Sequence, residues 1–360
     1  MALDSQKMEN PCKFTQGIDG TQPVAVVILN WNGRHLLEEY LPQVIEASDS
    51  AVSRIIVADN GSTDDSLQYL RDNYGTRIGI IAFDSNYGFA EGYNKALKIC
   101  AAYPYTVLLN SDVAPALGWD TTLHEFMETH PDVAGCQPKI LAYKDKSRFE
   151  YAGASGGYLD RDAYPFCRGR IFGDCEIDGG QYDTVANVHW ASGACLMVRT
   201  DVYLQCGGLD KDFFAHMEEI DLCWRMRLGG YKLACVPQAV VYHLGGGSLP
   251  AENPFKTYLN FRNSLLMMHK NLPDGQRGPA LFRRRLLDTL AWLKFVAAFD
   301  MKNAASVLKA HRDFATMRKR YTGHPDINLL RAPGAYRKSI LWQYFAKRKK
   351  KFSDLKWTCE

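Results

Sequence analysis

The chain has 360 residues, 46% of them hydrophobic and 23% charged; that is enough apolar material for one large or two medium domains and excludes disorder of the whole chain. Its 10 cysteines are too sparse for a disulfide scaffold and none are at CxxC spacing, so the usual zinc and thioredoxin-type signatures are excluded and reduced thiols in a cytoplasmic protein are expected. The net charge of +3 divides unevenly: residues 270–360 hold 21 Lys and Arg against 7 Asp and Glu (+14), leaving −11 for residues 1–269, which reads as an acidic body with a basic appendage that meets something anionic.

In chain order, residues 1–22 are polar with scattered Gly and Pro and predict a flexible lead-in. They lack a basic start followed by an apolar stretch, so no secretory signal is expected, and no run of ~18 apolar residues predicts a transmembrane helix. A repeating pattern follows. The β-branched run 24–29 (VAVVIL) predicts a strand, and Leu36, Leu37, Tyr40, Leu41 and Val44 predict a helix over 33–47. The run 55–58 predicts a second strand, after which Ser62 or Thr63 caps a helix carrying Leu67 and Leu70. Residues 77–83, a helical stretch near 89–101 and the run 106–109 continue the alternation. Residues 135–190 lose periodicity and predict irregular strands with a long loop around 155–185. Beyond them the pattern predicts a strand at 193–198, a short helix from Asp201, a helix at 219–228 and two short strands at 232–236 and 239–242. Helices at 255–270, 279–299 and 302–321 follow.

Apolar strands alternating with amphipathic helices predict an α/β fold with a mostly parallel sheet covered on both faces. Ligands in such sheets bind beyond the carboxyl ends of the strands. Four of those ends carry polar turn-formers: Asn30-Trp31-Asn32-Gly33, Asp59-Asn60-Gly61-Ser62, Asp84-Ser85-Asn86-Tyr87-Gly88 and Asn110-Ser111-Asp112. Turn conformation explains any one of them, but less readily all four together. Neither a GxGxxG after the first strand nor a GxxxxGK[ST] loop is present, which argues against dinucleotide oxidoreductases and P-loop NTPases. A nucleotide held without a glycine cradle usually needs a divalent cation on its phosphates. Asp112, just past a buried strand, is the carboxylate best placed to hold hard Mg2+ or Mn2+.

The stretches VVILNWNG, VADNGSTDDS, NYGFAEGYNKAL, LLNSDV, GGLDKDFFAHMEEIDLCWRMRLGGY and VVYHLGGGS, in that order across about residues 23–270, resemble family 2 glycosyltransferases with the GT-A fold. The resemblance is to the bacterial branch that includes rhamnosyltransferases of cell-surface polysaccharide assembly. It implies a nucleotide-diphospho-sugar donor, dTDP- or UDP-linked with dTDP-rhamnose first, a glycan or polyprenyl-linked glycan acceptor, and inverting transfer assisted by Mg2+ or Mn2+. It places Asp59 at the nucleotide base, with Asn30, Asn32 and Asn86 in the nucleotide loops. Asn110, Ser111 and Asp112 fall at the family's DxD metal motif, where Asn110 replaces the first Asp and leaves Asp112 as the strong ligand. In HMEEIDLCWR the resemblance implies a general base at Glu219, with Glu218 or Asp221 as alternatives and Asp221 otherwise on the acceptor side; two acidic residues at a helix start otherwise suit the macrodipole alone.

Three further residues have two readings each. His243, before Gly245-Gly246-Gly247, is a metal or diphosphate ligand, or a packed histidine. Trp190 offers an aromatic face to a sugar, or belongs to the core. Arg262 lies near the diphosphate, or in a helix-surface salt bridge. The Asn110 and Glu219 departures keep open an inactive scaffold of the same fold, and a soluble or protein acceptor stays an alternative.

Within 271–360, Leu281, Phe282, Leu286, Leu290, Trp292, Leu293, Val296 and Phe299 recur at helical spacing among Arg283, Arg284, Arg285 and Lys294, and a KRKKKF run follows. This predicts an interfacial element on an anionic membrane, with Trp292, Phe295 and Phe299 inserted and the protein peripheral on the inner face of the cytoplasmic membrane. A helix packed on the catalytic body is the plainer reading. No nucleic-acid motif accompanies the charge, so no nucleic-acid partner is expected. The expected organisation is a lead-in at 1–22, a GT-A domain at 23–270 and a basic helical region at 271–360.

Overall fold

The computed structural model describes residues 12–245 and 253–357. Strands and helices alternate as the periodicity predicts: β1 (Cys12–Gln16), β2 (Val24–Asn30), α1 (Arg34–Ala47), β3 (Ser53–Asp59), α2 (Ser66–Tyr74), β4 (Gly79–Phe83), α3 (Gly88–Ile99), β5 (Tyr105–Leu109), β6 (Val113–Pro115), α4 (Trp119–Thr129) and β7 (Val133–Ala142). Short strands β8 (Gly157–Leu159), β9 (Pro165–Cys167), β10 (Arg170–Ile171), β11 (Asp174–Cys175) and β12 (Ala186–Asn187) lead to β13 (Cys195–Arg199) and α5 (Thr200–Gln205). Helix α6 (Glu218–Leu228), β14 (Lys232–His243), α7 (Pro254–Asn271), α8 (Asp274–Ala297) and α9 (Met301–Met317) follow.

Strands β4, β3, β2 and β5 lie side by side and parallel. Strand β13 inserts antiparallel between β5 and β7, and β14 runs parallel to β7. The sheet is thus mixed and mostly parallel. Side chains alternate along β2: Val24, Val26 and Ile28 join one core cluster, Ala25 and Val27 the other. Leu37 and Leu41 of α1, Leu70 of α2 and Trp119 of α4 cover the first face; Ala90, Tyr93 and Leu97 of α3 cover the second. The carboxyl ends of β2, β3, β4 and β5 therefore open at one edge of a sheet buried on both faces.

Four expectations change. The lead-in contains β1, in which Phe14 pairs with Ala82 of β4. Helix α2 begins at Ser66, because Ser62 and Thr63 are drawn into the loop network described below. The two short strands at 232–242 are one strand, β14, whose register shifts between Val236 and Val240, where Pro237 has no amide hydrogen for the ladder. The basic C-terminal region is built into the body: Leu281, Phe314, Leu330, Tyr336, Ile340 and Leu355 share a core cluster with Val27 and Tyr93. Among the described residues no helix is long and apolar enough to cross a membrane.

Candidate active site

The loops after β2, β3 and β4 are tied to one another. Asn30 Nδ2 donates to Asp59 Oδ2 (3.0 Å), and Ser62 N donates to Asp59 Oδ1 (2.9 Å). Asn32 has a left-handed backbone (φ 50), and its Oδ1 accepts from Thr63 N at 2.7 Å. Asn60 Nδ2 donates to Asn86 Oδ1 at 3.0 Å, and Gly88 N donates to the same oxygen at 2.8 Å. Gly61 sits at φ 73 where a Cβ would come within 2.5 Å of the Ser85 backbone, so a side chain fails there on both counts. These bonds fix a polar rim from which Trp31 projects, 56% exposed.

At the end of β5, Asn110 N donates to Ala194 O (3.0 Å), which ties this loop to the lead-in of β13. Asp112, just beyond, is buried and faces His243 at the end of β14: Nε2 lies 3.1 Å from Asp112 Oδ1. Asn110 Nδ2 approaches the same nitrogen at 3.4 Å. On the other side of the ring, Nδ1 lies 3.3 Å from Glu150 Oε2. Burial disfavours a charged imidazole, yet Asp112 and Glu150 outweigh it and push His243 up to about 10. Burial likewise opposes charge on Asp112, and the hydrogen bond and charge of His243 bring its carboxyl below the usual range. Gly245 (φ 68) leaves room for Glu150, since a Cβ there would meet Oε1 at 2.8 Å. Gly246 and Gly247 lie outside the described residues.

Helix α6 presents the acidic pair. Phe214, His216 and Met217, in the loop before it, all have positive φ (67, 66 and 72), a strained run for residues with a Cβ. Helix α7 holds that loop in place. Asn263 Nδ2 donates to Phe213 O, Ala215 O and His216 O (2.9, 2.9 and 2.7 Å), and Arg262 donates to Asp212 O and Phe213 O (both 2.9 Å). Glu218 is buried and Glu219 half-buried, and Oε2 of each is enclosed without a hydrogen-bond partner among the described residues. Burial raises both carboxyls, that of Glu219 to about 7, and the neighbouring Glu219 charge raises Glu218 further. The stem of Glu219 runs past Gly193, where an added Cβ would touch its Cγ at 3.7 Å. Gly193 adjoins Ala194, so Glu219 and the Asn110–Asp112 loop flank the same short segment. Glu150 and Glu219 both also act on the Cys167 thiol, which burial pushes up.

Asn263→Ala is expected to release the strained loop. Loss of its bonds to three carbonyls should lower stability by ~1–3 kcal/mol. A thermal-unfolding scan checks this, and because α6 then loses its orientation, kcat should fall while donor KM changes little.

Residues 25–171 match the family described as Glycosyl transferase family 2. Over this stretch the chain is similar to family 2 glycosyltransferases. An N-acetylglucosaminyl-diphospho-decaprenol L-rhamnosyltransferase of Mycobacterium tuberculosis is 27% identical over 249 residues, which cover 62% of this chain and 76% of that protein. Two solved structures share the fold. GalNAc-T7 with UDP, GalNAc and Mn2+ matches at TM-score 0.55 and 14% identity, over 71% of this chain and 49% of that one, so the chain spans about half of it. The mannosyltransferase PcManGT from Pyrobaculum calidifontis, in complex with GDP-Man and Mn2+, matches at TM-score 0.50 and 14% identity, over 83% of this chain and 89% of that one. The architecture is the GT-A fold that the motifs implied.

Within this fold the structure redistributes several expected roles. Asp59 is fully buried with both oxygens engaged, so it ties the loops after β2 and β3 together and exposes no surface to a base. Trp190 is core: Nε1 donates to Tyr158 O (3.0 Å), and its ring lies where a Cβ on Gly157 would be 2.0 Å away, leaving no face for a sugar. Asp221 is buried and accepts from Arg225 Nε (2.8 Å), Lys270 Nζ (2.8 Å) and Asn271 Nδ2 (2.8 Å), which removes it from the acceptor side. Arg262 is the loop strap described above: it is buried, and its guanidinium is engaged by Asn263 Oδ1, Tyr258 OH and the Asp212 and Phe213 carbonyls. Asn30 is enclosed with Asp59, whereas Asn32, Asn86, Asn110 and Ser111 stay on or near the rim.

Glu150, Lys256 and Trp31 were not singled out from the sequence. Glu150 has no local signal, because it meets His243 only through the packing of β7 and β14. Lys256 lies six residues before Arg262, about 240° around α7 at 100° per residue. It is half-buried, lacks an ion-pair partner among the described residues and lies in electrostatic range of Glu150; burial lowers its pKa. Among the described residues no group of three or more His, Cys, Asp and Glu is placed to hold a metal ion. Asp112 supplies a carboxylate oxygen that suits Mn2+ or Mg2+ completed by diphosphate oxygens and water, and His243 Nε2, 3.1 Å from it, adds a nitrogen once the cation displaces the proton that Asp112 and Glu150 hold on the ring.

Proposed function

We propose that the protein is an inverting glycosyltransferase that moves a sugar, rhamnose first, from a dTDP- or UDP-linked donor to a glycan or polyprenyl-linked acceptor at the cytoplasmic membrane surface. The observation that carries this reading is the Glu218–Glu219 pair. Its two enclosed oxygens have no hydrogen-bond partner among the described residues, its carboxyls are raised, and it flanks the Asn110–Asp112 loop. Buried acids left unsatisfied in this way are characteristic of groups kept for proton transfer. The choice of rhamnose and of a lipid-linked acceptor is supported by the mycobacterial relative's name.

In this reading the donor's nucleotide lies along the rim after β2, β3 and β4, with Trp31 available to stack on the base. Glu219 takes the proton from an acceptor hydroxyl. The hydroxyl oxygen bonds to the anomeric carbon from one side while the bond to the diphosphate oxygen breaks on the other, which inverts the centre. Glu219 is preferred to Glu218 because it is the less buried of the two and its stem runs past Gly193, beside the Asn110–Asp112 loop. Lys256 adds positive charge beside the cleft. A Mg2+ or Mn2+ held by Asp112 and His243 would supply further positive charge at the diphosphate.

A thermal-shift series against nucleotide sugars, with and without Mn2+, tests this reading: dTDP-rhamnose or a UDP-sugar should raise the melting temperature by mass action. No shift with any of them would count against it.

The pH dependence follows from Glu219. A base must be deprotonated to act, so kcat/KM should climb from pH 5 and level off above about 7, the value to which burial raises this carboxyl. The stability of the ligand-free protein should move the other way. A carboxyl raised in the folded state stabilises it below its unfolded pKa of about 4.5, and that contribution is lost as pH rises through about 7. Parallel pH titrations of rate and melting temperature check both, and a flat rate profile between pH 5 and 8 would exclude Glu219 as the base.

A further inference from the structure

Helix α8 uses one side to hold the body together. Arg284 Nε donates to Asp288 Oδ1 (2.9 Å), Tyr164 OH donates to the same carboxylate (3.2 Å), and Arg283 Nε donates to Asp162 (3.1 Å). The opposite side is apolar as well. At 100° per residue, Phe282, Leu286, Leu290 and Leu293 fall within ~80° of arc, facing away from Arg284 and Asp288. All four are in water, from 49% exposed at Leu293 to 65% at Phe282. The stripe runs ~16 Å along the helix. Of the residues expected to insert, Trp292 and Phe295 are half-buried, whereas Phe299, just past the helix end, is 90% exposed.

A second chain segment extends the patch. Trp342 and Phe345 are each 60% exposed, and Lys294 Nζ lies 5.9 Å from the Phe345 ring. Cations border the apolar surface: Arg283 and Lys294 along one edge of the helix, Arg285 along the other, and Lys347 and Arg348 just past Phe345. Among the described residues Arg285, Lys294, Lys347 and Arg348 form no ion pair with a carboxylate. A large apolar patch rimmed by cations, on the face of a helix that the fold does not need buried, calls for a covering surface of negative charge.

We propose that this face, the outer stripe of α8 together with Trp342 and Phe345, docks the enzyme onto anionic lipid headgroups, with the apolar side chains entering the headgroup boundary. The inference rests on the reading that the acceptor is lipid-linked. A second copy of the chain fits less well, because a two-fold contact would set these unpaired cations against their own equivalents.

Flotation of the full chain with vesicles of phosphatidylethanolamine and phosphatidylglycerol tests it, with phosphatidylcholine vesicles as control. The wild type should float with the anionic vesicles and be only partly released by high salt, since apolar insertion is not screened. Phe282→Asp/Leu290→Asp should cut binding by ~10-fold or more while keeping the melting temperature, as both side chains are exposed. If that variant unfolds, Leu290→Gln and Trp342→Ala serve in its place, with a smaller loss each. Equal binding by wild type and variants, or no binding by the wild type, overturns the proposal. So does a wild-type dimer in solution that the double variant splits. Transfer to a polyprenyl-linked acceptor in detergent micelles separates the two ideas. Wild-type transfer there without vesicle binding overturns the docking face and leaves the acceptor reading intact. Vesicle binding lost on mutation, with no transfer to any lipid-linked acceptor, supports the face and overturns the acceptor reading.

Discussion

Glu219→Gln is expected to lower sugar transfer by ~10²-fold or more while leaving donor binding close to wild type, because the amide keeps the shape but cannot take a proton. The geometry makes the change clean. Among the described residues Glu219 Oε2 has no hydrogen-bond partner to lose, and the carboxyl forms no ion pair. Gln also removes the cost of charging a buried acid, so the variant should melt at least as high as the wild type at pH 8, where the native carboxyl is ionised. Glu218→Gln is the control. Glu218 is the more buried and is pushed up further by its neighbour, so its loss should relieve repulsion and change transfer much less. If Glu219→Gln turns over normally and Glu218→Gln is dead, the base is one residue away from its proposed position.

Asp112→Ala should abolish divalent-dependent donor binding, a loss of at least ~10²-fold in affinity. Position 110 is Asn, so no neighbouring carboxylate can take over, and His243 alone gives a hard cation a single nitrogen. Glu150→Gln should have a graded effect of about 10-fold, as expected for a residue that orients a ligand from behind it. Isothermal calorimetry with Mn2+, then with chelator, resolves the two. Unchanged donor affinity of Asp112→Ala in both conditions would take Asp112 out of the site.

The α/β alternation, the four polar strand ends and the acidic pair were legible in the sequence because each is local: period-2 and period-3.6 patterns, turn residues, adjacent carboxylates. The residue-level roles that changed depend on contacts far apart in the chain. Asp59 looks like a ligand until Asn30, 29 residues earlier, closes over it. Asp221 shares a helix start with Glu218 and Glu219, yet Lys270 and Asn271, about 50 residues later, neutralise it in the interior. Arg262 and Asn263 carry no sign in sequence that they strap a loop 47 to 50 residues earlier. Trp190 was balanced between core and sugar face, and the missing side chain of Gly157 decides for core. The basic C-terminal region misled in a different way. Its charge was read as an appendage, whereas its apolar residues are shared between the core and the outer stripe of α8.

Nucleoside diphosphate release from dTDP-rhamnose and from UDP-sugars, measured with Mn2+ and without acceptor, tests the central claim most directly. The account predicts slow release by the wild type with water as acceptor, a large acceleration when a polyprenyl-linked glycan is added, and near-background release from Glu219→Gln in both cases. Background release by the wild type from every donor, with acceptor present, would contradict it and identify the chain as an inactive scaffold of the same fold.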